Sequence, residues 1–140
     1  MNPRILLDTG PLVAFLHAGD THHEWAREQF NQLEAPLLTC EAVIAESCHL
    51  LRRIPNAPSR VLELIQRGSV QIALSLQQEN TAIAKLLRRY SDRPASLADI
   101  CLVRLSEIHD PSIVLTLDLD FYVYRRLGRK TIPVLHPNAD

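Results

Sequence analysis

Near its start the chain reads Arg4-Ile5-Leu6-Leu7-Asp8-Thr9-Gly10-Pro11, an apolar run that ends in a carboxylate, a hydroxyl, a glycine and a proline. Apolar residues in succession, without polar alternation, predict a strand covered on both faces, as in a parallel α/β sheet. The Thr-Gly-Pro step permits a sharp turn, and proline suits the first turn of a helix. Asp8 is therefore expected at the carboxyl end of a central strand, where open α/β sheets bind their ligands. The alternative is that Asp8 only caps the following helix.

The composition is that of an ordinary globular protein, with 46% hydrophobic and 22% charged residues among 140. This length suits one compact domain, which we predict to span residues 1–140. The net charge of −1 gives no overall field that would indicate a nucleic-acid or membrane partner. Cys40, Cys48 and Cys101 form no C-x-x-C pair, which argues against a zinc site or a disulfide scaffold. With no recognisable signal peptide and no membrane-spanning run, we expect a cytoplasmic protein without a membrane partner.

Strand and helix patterns alternate along the rest of the chain, which predicts an α/β fold with a central parallel sheet of about five strands flanked by helices. The expected strands are 4–7, 36–39, 70–74, 113–117 and 131–135. The expected helices are 11–17, 22–33, 40–53, 60–67, 76–90, 96–109 and 121–127. Capping interactions are predicted at the starts of four helices, by Thr21 with Glu24, Thr39, Ser75 with Gln78, and Ser96 with Asp99.

Four acidic residues stand out by their context in this pattern. Asp8 and Asp118 each follow an apolar strand, and Asp99 lies in the first turn of a helix. Glu46 is expected on the apolar face of its helix, which it shares with Val43 and Leu50. Three of these acids also have structural alternatives: a capping box for Asp99, an Asx turn for Asp118, and an arginine or solvent for Glu46.

Taken together, the four carboxylates predict a cation site. Carboxylates gathered at one edge of a sheet repel one another, and a divalent cation is the usual compensation. Because all the donors are oxygen atoms, Mg²⁺ or Mn²⁺ is favoured over zinc.

The acids lie in four sequence blocks: LLDTGPL at 6–12, TCEAVIAESCHLL at 39–51, SLADICLV at 96–103 and VLTLDLDF at 114–121. In their order and spacing these blocks resemble the signatures of PIN-domain ribonucleases, and more narrowly those of VapC-type toxins from toxin–antitoxin pairs. The resemblance implies a three-layer PIN-like fold and a metal-dependent endoribonuclease that hydrolyses RNA phosphodiester bonds. It implies a catalytic role for the four acids and supporting hydroxyls at two threonines, namely Asp8, Glu46, Asp99, Asp118, Thr9 and Thr116.

By the same resemblance, Asp8, Asp99 and Asp118 would hold Mg²⁺ or Mn²⁺, which would activate a water molecule and neutralise charge on the scissile phosphate. Glu46 would complete the pocket, either as a ligand or by orienting the attacking water. The implied substrate is RNA, the implied assembly is a homodimer, and the implied partner is an antitoxin protein. Several arginines are candidate contacts to the RNA backbone, with solvated helix faces as the alternative: Arg4, Arg52, Arg53, Arg125 and Arg126.

Other classes of protein fit this sequence less well. A receiver domain needs two adjacent acids after its first strand, whereas Asp8 stands alone. A haloacid-type phosphatase needs D-x-D at that place, and Thr9-Gly10 excludes it. A stand-alone PIN nuclease and a metal-free protein-binding module of the same fold stay open as alternatives, and metal titration would separate a nuclease from the module.

Asp118 and Asp120 cannot be distinguished by periodicity, because residues two apart in an extended strand point to the same side. The helix predicted at 121–127, closed by Gly128, makes Asp120 the natural N-cap. A capping carboxylate is less free to bind metal. We therefore assign the metal to Asp118 and a supporting role to Asp120; Asp118 would lie next to Asp8 if the first and fourth strands are neighbours.

Overall fold

The computed structural model describes residues 2–138. In chain order the elements are β1 (Arg4–Leu7), α1 (Thr9–Leu16), α2 (His23–Gln32), β2 (Leu37–Thr39), α3 (Glu41–Leu50), α4 (Ala57–Gln66), β3 (Val70–Ile72), α5 (Leu76–Arg89), α6 (Leu97–Ile108), β4 (Ser112–Leu115), a 3₁₀ helix (Leu119–Tyr122), β5 (Arg125–Arg126), β6 (Lys130–Thr131) and β7 (Val134–Leu135). Within the described range, none of the helices is long and apolar enough to cross a membrane.

Five of these strands form one parallel sheet in the order β3-β2-β1-β4-β7. The chain moves outward from β1 to β2 and β3, and then returns to add β4 on the other side of β1. The strand order therefore reverses between β1 and β4, where Leu7 pairs with Leu115. Such a reversal opens a crevice at the carboxyl ends of the strands, where open α/β sheets bind ligands. The predicted α/β fold with a five-stranded parallel sheet is confirmed. The first and fourth strands are neighbours, which is the condition under which Asp118 was expected to lie next to Asp8.

The core lies on both faces of this sheet. Leu6 and Leu7 of β1 have no exposed surface, which explains the apolar run without alternation. Helix α6 is buried around most of its circumference, and a helix that is apolar all round belongs in the interior of a fold. It contacts both β1 and β4. The start of α6, where Asp99 lies, is therefore fixed relative to the two central strands.

The predicted helix at 121–127 is wrong. The chain makes only the 3₁₀ helix, and β5 and β6 then form an antiparallel hairpin. Leu127 and Gly128 both have positive φ angles in the turn of this hairpin, so Gly128 serves a turn and not a helix end. The expected strand 131–135 is correspondingly divided: β6 pairs with β5, whereas β7 pairs with β4. Pro133, which has no N–H to donate, lies between these two segments.

The predicted caps have mixed outcomes. Ser96 and Asp99 form the complete capping box at the start of α6, and Ser75 accepts a hydrogen bond from the backbone N–H of Gln78 at 3.2 Å. The other two predicted caps are wrong. Helix α2 begins after His22, which makes no side-chain cap, and the Thr39 hydroxyl donates to the Leu7 carbonyl at 2.8 Å instead of capping α3.

Candidate active site

Asp8 lies at the end of β1 with only 5% of its surface exposed. Its Oδ1 accepts a hydrogen bond from the backbone N–H of Thr9 at 2.8 Å, which makes Asp8 the N-cap of α1. Its Oδ2 accepts a hydrogen bond from the Thr116 hydroxyl at 2.6 Å. Burial raises the pKa of Asp8 to about 7, and the charges of Asp99 and Asp118 add to that rise. Asp8 therefore caps α1 and also lies at the carboxyl end of β1. The sequence had offered these two roles as alternatives.

We predict that the metal-free protein loses stability as the pH rises from about 4 to about 7. The pKa of Asp8 lies above its ordinary value, so the folded state binds more protons than the unfolded state in this window, and stability falls as those protons leave. The raised pKa values of Glu46 and Asp99 act in the same direction. Thermal unfolding across this pH range in chelator-treated buffer measures the effect. Asp8→Asn should flatten the profile, and an equally steep profile in the variant would contradict the assignment to Asp8.

Thr116 joins two of the acids. It is fully buried, its hydroxyl donates to Asp8 Oδ2, and the same oxygen accepts a hydrogen bond from the backbone N–H of Asp118 at 2.9 Å. Because β1 and β4 are parallel neighbours in register, both chains leave the sheet side by side. Thr116 therefore sets the spacing between the first and the fourth acid.

The N-cap predicted at Asp120 is wrong, and Asp118 makes the Asx turn that was its structural alternative. Asp118 Oδ1 accepts a hydrogen bond from the backbone N–H of Asp120 at 2.9 Å and caps the 3₁₀ helix. The Asp120 carboxylate lies 3.6 Å from Nη2 of Arg93. The turn begins two residues earlier than predicted because no helix forms at 121–127. The charge of Asp118 nevertheless raises the pKa of Asp8, so the two carboxylates are close enough to repel each other.

Asp99 occupies the first turn of α6. Its Oδ2 accepts hydrogen bonds from the backbone N–H of Ser96 at 3.1 Å and from the Tyr124 hydroxyl at 3.3 Å. Partial burial raises the pKa of Asp99, the charge of Asp118 raises it further, and the hydrogen bonds partly offset the rise. The capping role of Asp99 thus fixes its carboxylate beside the carboxyl ends of β1 and β4.

Glu46 lies near the middle of α3 and is mostly exposed. Of the two residues expected to share an apolar face with Glu46, Val43 is fully buried, as predicted, whereas Leu50 is 53% exposed. Partial burial and the charge of Asp99 still raise the pKa of Glu46, and the Thr9 hydroxyl is near enough to offset part of that rise. Glu46 therefore approaches the other acids from the solvent side.

The four acids form a loose group of mutually repelling carboxylates. Among residues 2–138, no three His, Cys, Asp or Glu side chains are close enough to form a ready-made metal site. Among the described residues, the buried Thr9 hydroxyl oxygen makes no hydrogen bond of ordinary length, although it lies near enough to Glu46 to lower the pKa of that residue. A buried hydroxyl without a partner costs stability, so this oxygen is available to a water molecule or a cation. The donor set, made of carboxylate and hydroxyl oxygens, fits a hard divalent cation.

Two of the arginines proposed to contact RNA have structural roles instead. Nη1 of Arg125 donates to the carbonyl groups of residues 122, 123 and 124. Arg126 is buried, and its Nε donates to the Ser106 carbonyl at 2.9 Å. Both side chains hold the segment that follows the 3₁₀ helix, so we do not include them in the proposed RNA surface.

The other three arginines are exposed. Arg4 lies at the amino end of β1, whereas Asp8 follows the carboxyl end of the same strand. Arg52 donates to the His49 carbonyl at 2.8 Å, and Arg53 follows it in the turn after α3. Of the arginines chosen from sequence, only Arg52 and Arg53 stay candidates for RNA contacts.

Sequence reasoning missed two residues beside the acids. Tyr124, which donates to Asp99, is fully buried and packs edge-on against Tyr90 and Phe121, with ring centroids at 5.0 and 5.2 Å. Arg93 pairs with Asp120. Tyr124 was missed because a helix was wrongly predicted at 121–127. Arg93 lies in a loop, where no periodic pattern indicates which way a side chain faces.

The sequence profile of the PIN domain matches residues 5–127 of this chain. The chain belongs to the PIN-domain family. This confirms the family inferred from the four sequence blocks, and the matched segment contains all four acids. A comparison with curated protein sequences finds no match.

The fold of this PIN domain is also similar to a solved structure, the crystal structure of VapC20 from Mycobacterium tuberculosis, which is described as a sarcin–ricin loop cleaving toxin. The two chains are 20% identical, the alignment covers 79% of this chain and 86% of that one, and the TM-score is 0.65. At this identity the likeness shows that the two proteins share a fold.

Proposed function

We propose that this PIN-domain protein is a metal-dependent endoribonuclease and the toxin of a toxin–antitoxin pair. The observation that carries the proposal is the gathering of Asp8, Glu46, Asp99 and Asp118 at the strand-order reversal, with three of their pKa values raised. Asp8 is buried and Asp99 and Asp118 are half-buried, and carboxylates that repel one another in such positions cost stability unless a bound ligand compensates them. A module that only binds protein would have no use for such a group.

The ligands that we propose for Mg²⁺ or Mn²⁺ are Asp8, Asp99 and Asp118. Asp118 uses Oδ1 for its cap and Asp99 uses Oδ2 for its hydrogen bonds, which leaves the other oxygen of each for a cation. The buried Thr9 hydroxyl, which makes no hydrogen bond of ordinary length within residues 2–138, adds a further oxygen donor beside them. When bound, the cation would lower the pKa of a water molecule and neutralise charge that develops on the phosphate.

The remaining roles belong to side chains of the protein itself. Thr116 keeps Asp8 and Asp118 at a fixed spacing, and Tyr124 keeps Asp99 oriented. Glu46 reaches the group from the solvent side, and its raised pKa makes it a stronger base than an ordinary carboxylate. We propose that Glu46 orients the attacking water and accepts its proton.

RNA as the substrate is supported by membership of the PIN family and by the similar fold of VapC20, which is described as cleaving the sarcin–ricin loop. An antitoxin partner and a homodimer are proposed on the same basis. Exposed apolar side chains on neighbouring helices, such as Leu50 of α3 and Leu62 of α4, are candidates for the dimer contact. A cytoplasmic location agrees with an RNA substrate and is likewise a proposal.

A nuclease assay on the purified protein tests this function. Single-stranded and structured RNAs should be cut in Mg²⁺ or Mn²⁺, and cleavage should stop in EDTA and return when the metal is restored. A protein that binds neither ion and cuts no RNA would support the metal-free binding module instead.

Metal should also stabilise the fold. We expect Mg²⁺ or Mn²⁺ to raise the Tm of the wild type by several degrees when the ion is well above its Kd, since a ligand bound only by the folded state stabilises it. The triple variant Asp8→Asn, Asp99→Asn, Asp118→Asn should lose this shift. Differential scanning fluorimetry measures it, and calorimetry that shows equal Mn²⁺ binding by both proteins would exclude the proposed ligands.

A further inference from the structure

Arg93 occupies the loop between α5 and α6, directly before the helix that carries Asp99. The backbone of this loop is held in place. The Arg93 N–H donates to the Tyr90 carbonyl at 3.1 Å, and the Arg93 carbonyl accepts from the N–H of Ala95 at 2.8 Å. The side chain is 33% exposed. Arg93 is therefore a cation on a fixed backbone that reaches solvent near the acids.

The hydrogen-bonding capacity of this guanidinium is mostly unused. Its Nη2 lies 3.6 Å from the Asp120 carboxylate, which is longer than a charge-assisted hydrogen bond. Its Nε has no hydrogen-bond partner among residues 2–138, but this atom is buried, so the donors that a ligand can reach from solvent are the terminal Nη groups. Arg104 shows the contrast, because its Nε and Nη1 lie 2.8 and 3.1 Å from two glutamates. A guanidinium with spare donors in a fixed fork is suited to bind an oxyanion with two parallel hydrogen bonds.

The neighbours of Arg93 place it beside the proposed active site. Its partner Asp120 donates a backbone hydrogen bond to Asp118. The charge of Asp120 also acts on Tyr124, whose hydroxyl contacts Asp99. A group of carboxylates alone would repel the phosphates that flank a cleavage point in RNA. A cation next to that group would offset the repulsion.

We propose that Arg93 binds a phosphodiester of the RNA substrate next to the one that is cleaved, and that Asp120 orients the guanidinium for this contact. The inference rests on the proposed function, since it assigns a substrate contact at the same site. Two donors of the guanidinium would bind the two non-bridging oxygens of that phosphate. The competing interpretation is that the Arg93–Asp120 pair only ties the loop to the 3₁₀ helix.

RNA binding can be measured apart from cleavage in an Asp8→Asn background. The probe is a short fluorescein-labelled single-stranded RNA of mixed sequence, and the readout is anisotropy over a series of salt concentrations. Adding Arg93→Ala should weaken binding about tenfold and reduce the slope of log K against log salt by about 0.7, the value for one phosphate contact on a single strand. Arg93→Lys should keep that slope while losing part of the affinity, because lysine keeps the charge without the fork.

Arg67→Ala is the matched control. Arg67 is exposed at the end of α4, just before β3, so it lies at the amino ends of the strands, opposite the carboxyl ends where the acids lie. This control should bind RNA with the affinity and slope of the parent. In the active protein, Arg93→Ala should raise KM more than it lowers kcat. The Tm of each variant shows whether it is folded. If Arg93→Ala does not fold, Arg93→Lys provides the test.

An unchanged salt slope in Arg93→Ala would overturn the proposal. Absence of cleavage by the wild type in Mg²⁺ would reject the proposed function. An RNA-binding slope that depends on Arg93 would still support this contact.

Discussion

Asp8→Asn is expected to lower kcat/KM for RNA cleavage by about a thousandfold or more, because a bound cation stabilises a reacting phosphate by several kcal/mol. At pH 8 the metal-free variant should be at least as stable as the wild type. The pKa of Asp8 is about 7, so its buried carboxylate is ionised there at a cost. The neutral amide removes both that cost and the repulsion from Asp99 and Asp118. Asparagine also caps helices about as well as aspartate, so the bond from the Thr9 N–H can persist.

Asp20→Asn is the control for this experiment. Asp20 also makes a local backbone bond, accepting from the His22 N–H at 2.8 Å, but it follows the far end of α1. Its substitution should leave cleavage within about twofold of the wild type, in line with ordinary surface changes. The stability gained in Asp8→Asn at pH 8 should vanish near pH 4. If Asp8→Asn instead unfolds the metal-free protein, the capping role is the essential one and the active-site assignment fails.

The elements that could be predicted from sequence are those in which one local pattern dominates. The apolar run of β1 is explained by burial on both faces, and the capping box of Ser96 and Asp99 needs only four consecutive residues. The helix expected at 121–127 is wrong because Gly128, which was interpreted as its C-cap, lies in a hairpin turn, while Phe121 and Tyr124 are buried in a 3₁₀ turn and the chain after it. Tertiary packing, including the contacts of Tyr124 with neighbouring rings, decided between these conformations.

The candidate site was only partly predictable for a related reason. Each acid could be selected from its position relative to a strand or helix, but the contacts that hold the acids join distant parts of the chain. The bond from Thr116 to Asp8 spans 108 residues, and the bond from Tyr124 to Asp99 spans 25. The partner of Asp120 is Arg93, which precedes it by a whole helix and strand. Spacing within one element cannot reveal such pairs.

Asp118→Asn should lose nearly all nuclease activity, whereas Asp120→Asn should retain a substantial part of it. The reason differs from the one that the sequence offered, because Asp118 is the capping residue. Asparagine at 118 can still accept from the N–H of residue 120, so the turn should survive while the charge near Asp8 is lost. The charge of Asp120 is instead balanced by Arg93 at 3.6 Å.

Both variants can be compared in one Mg²⁺ assay, with a second readout in the metal-free protein. The charge of Asp118 contributes to the raised pKa of Asp8, and Asp120 is not among the causes of that rise. An NMR titration of the Asp8 carboxyl should therefore show a lower pKa in Asp118→Asn, because a repelling charge is gone, and little change in Asp120→Asn. The opposite ranking, in activity and in the Asp8 titration together, would place the fourth acid of the site on Asp120.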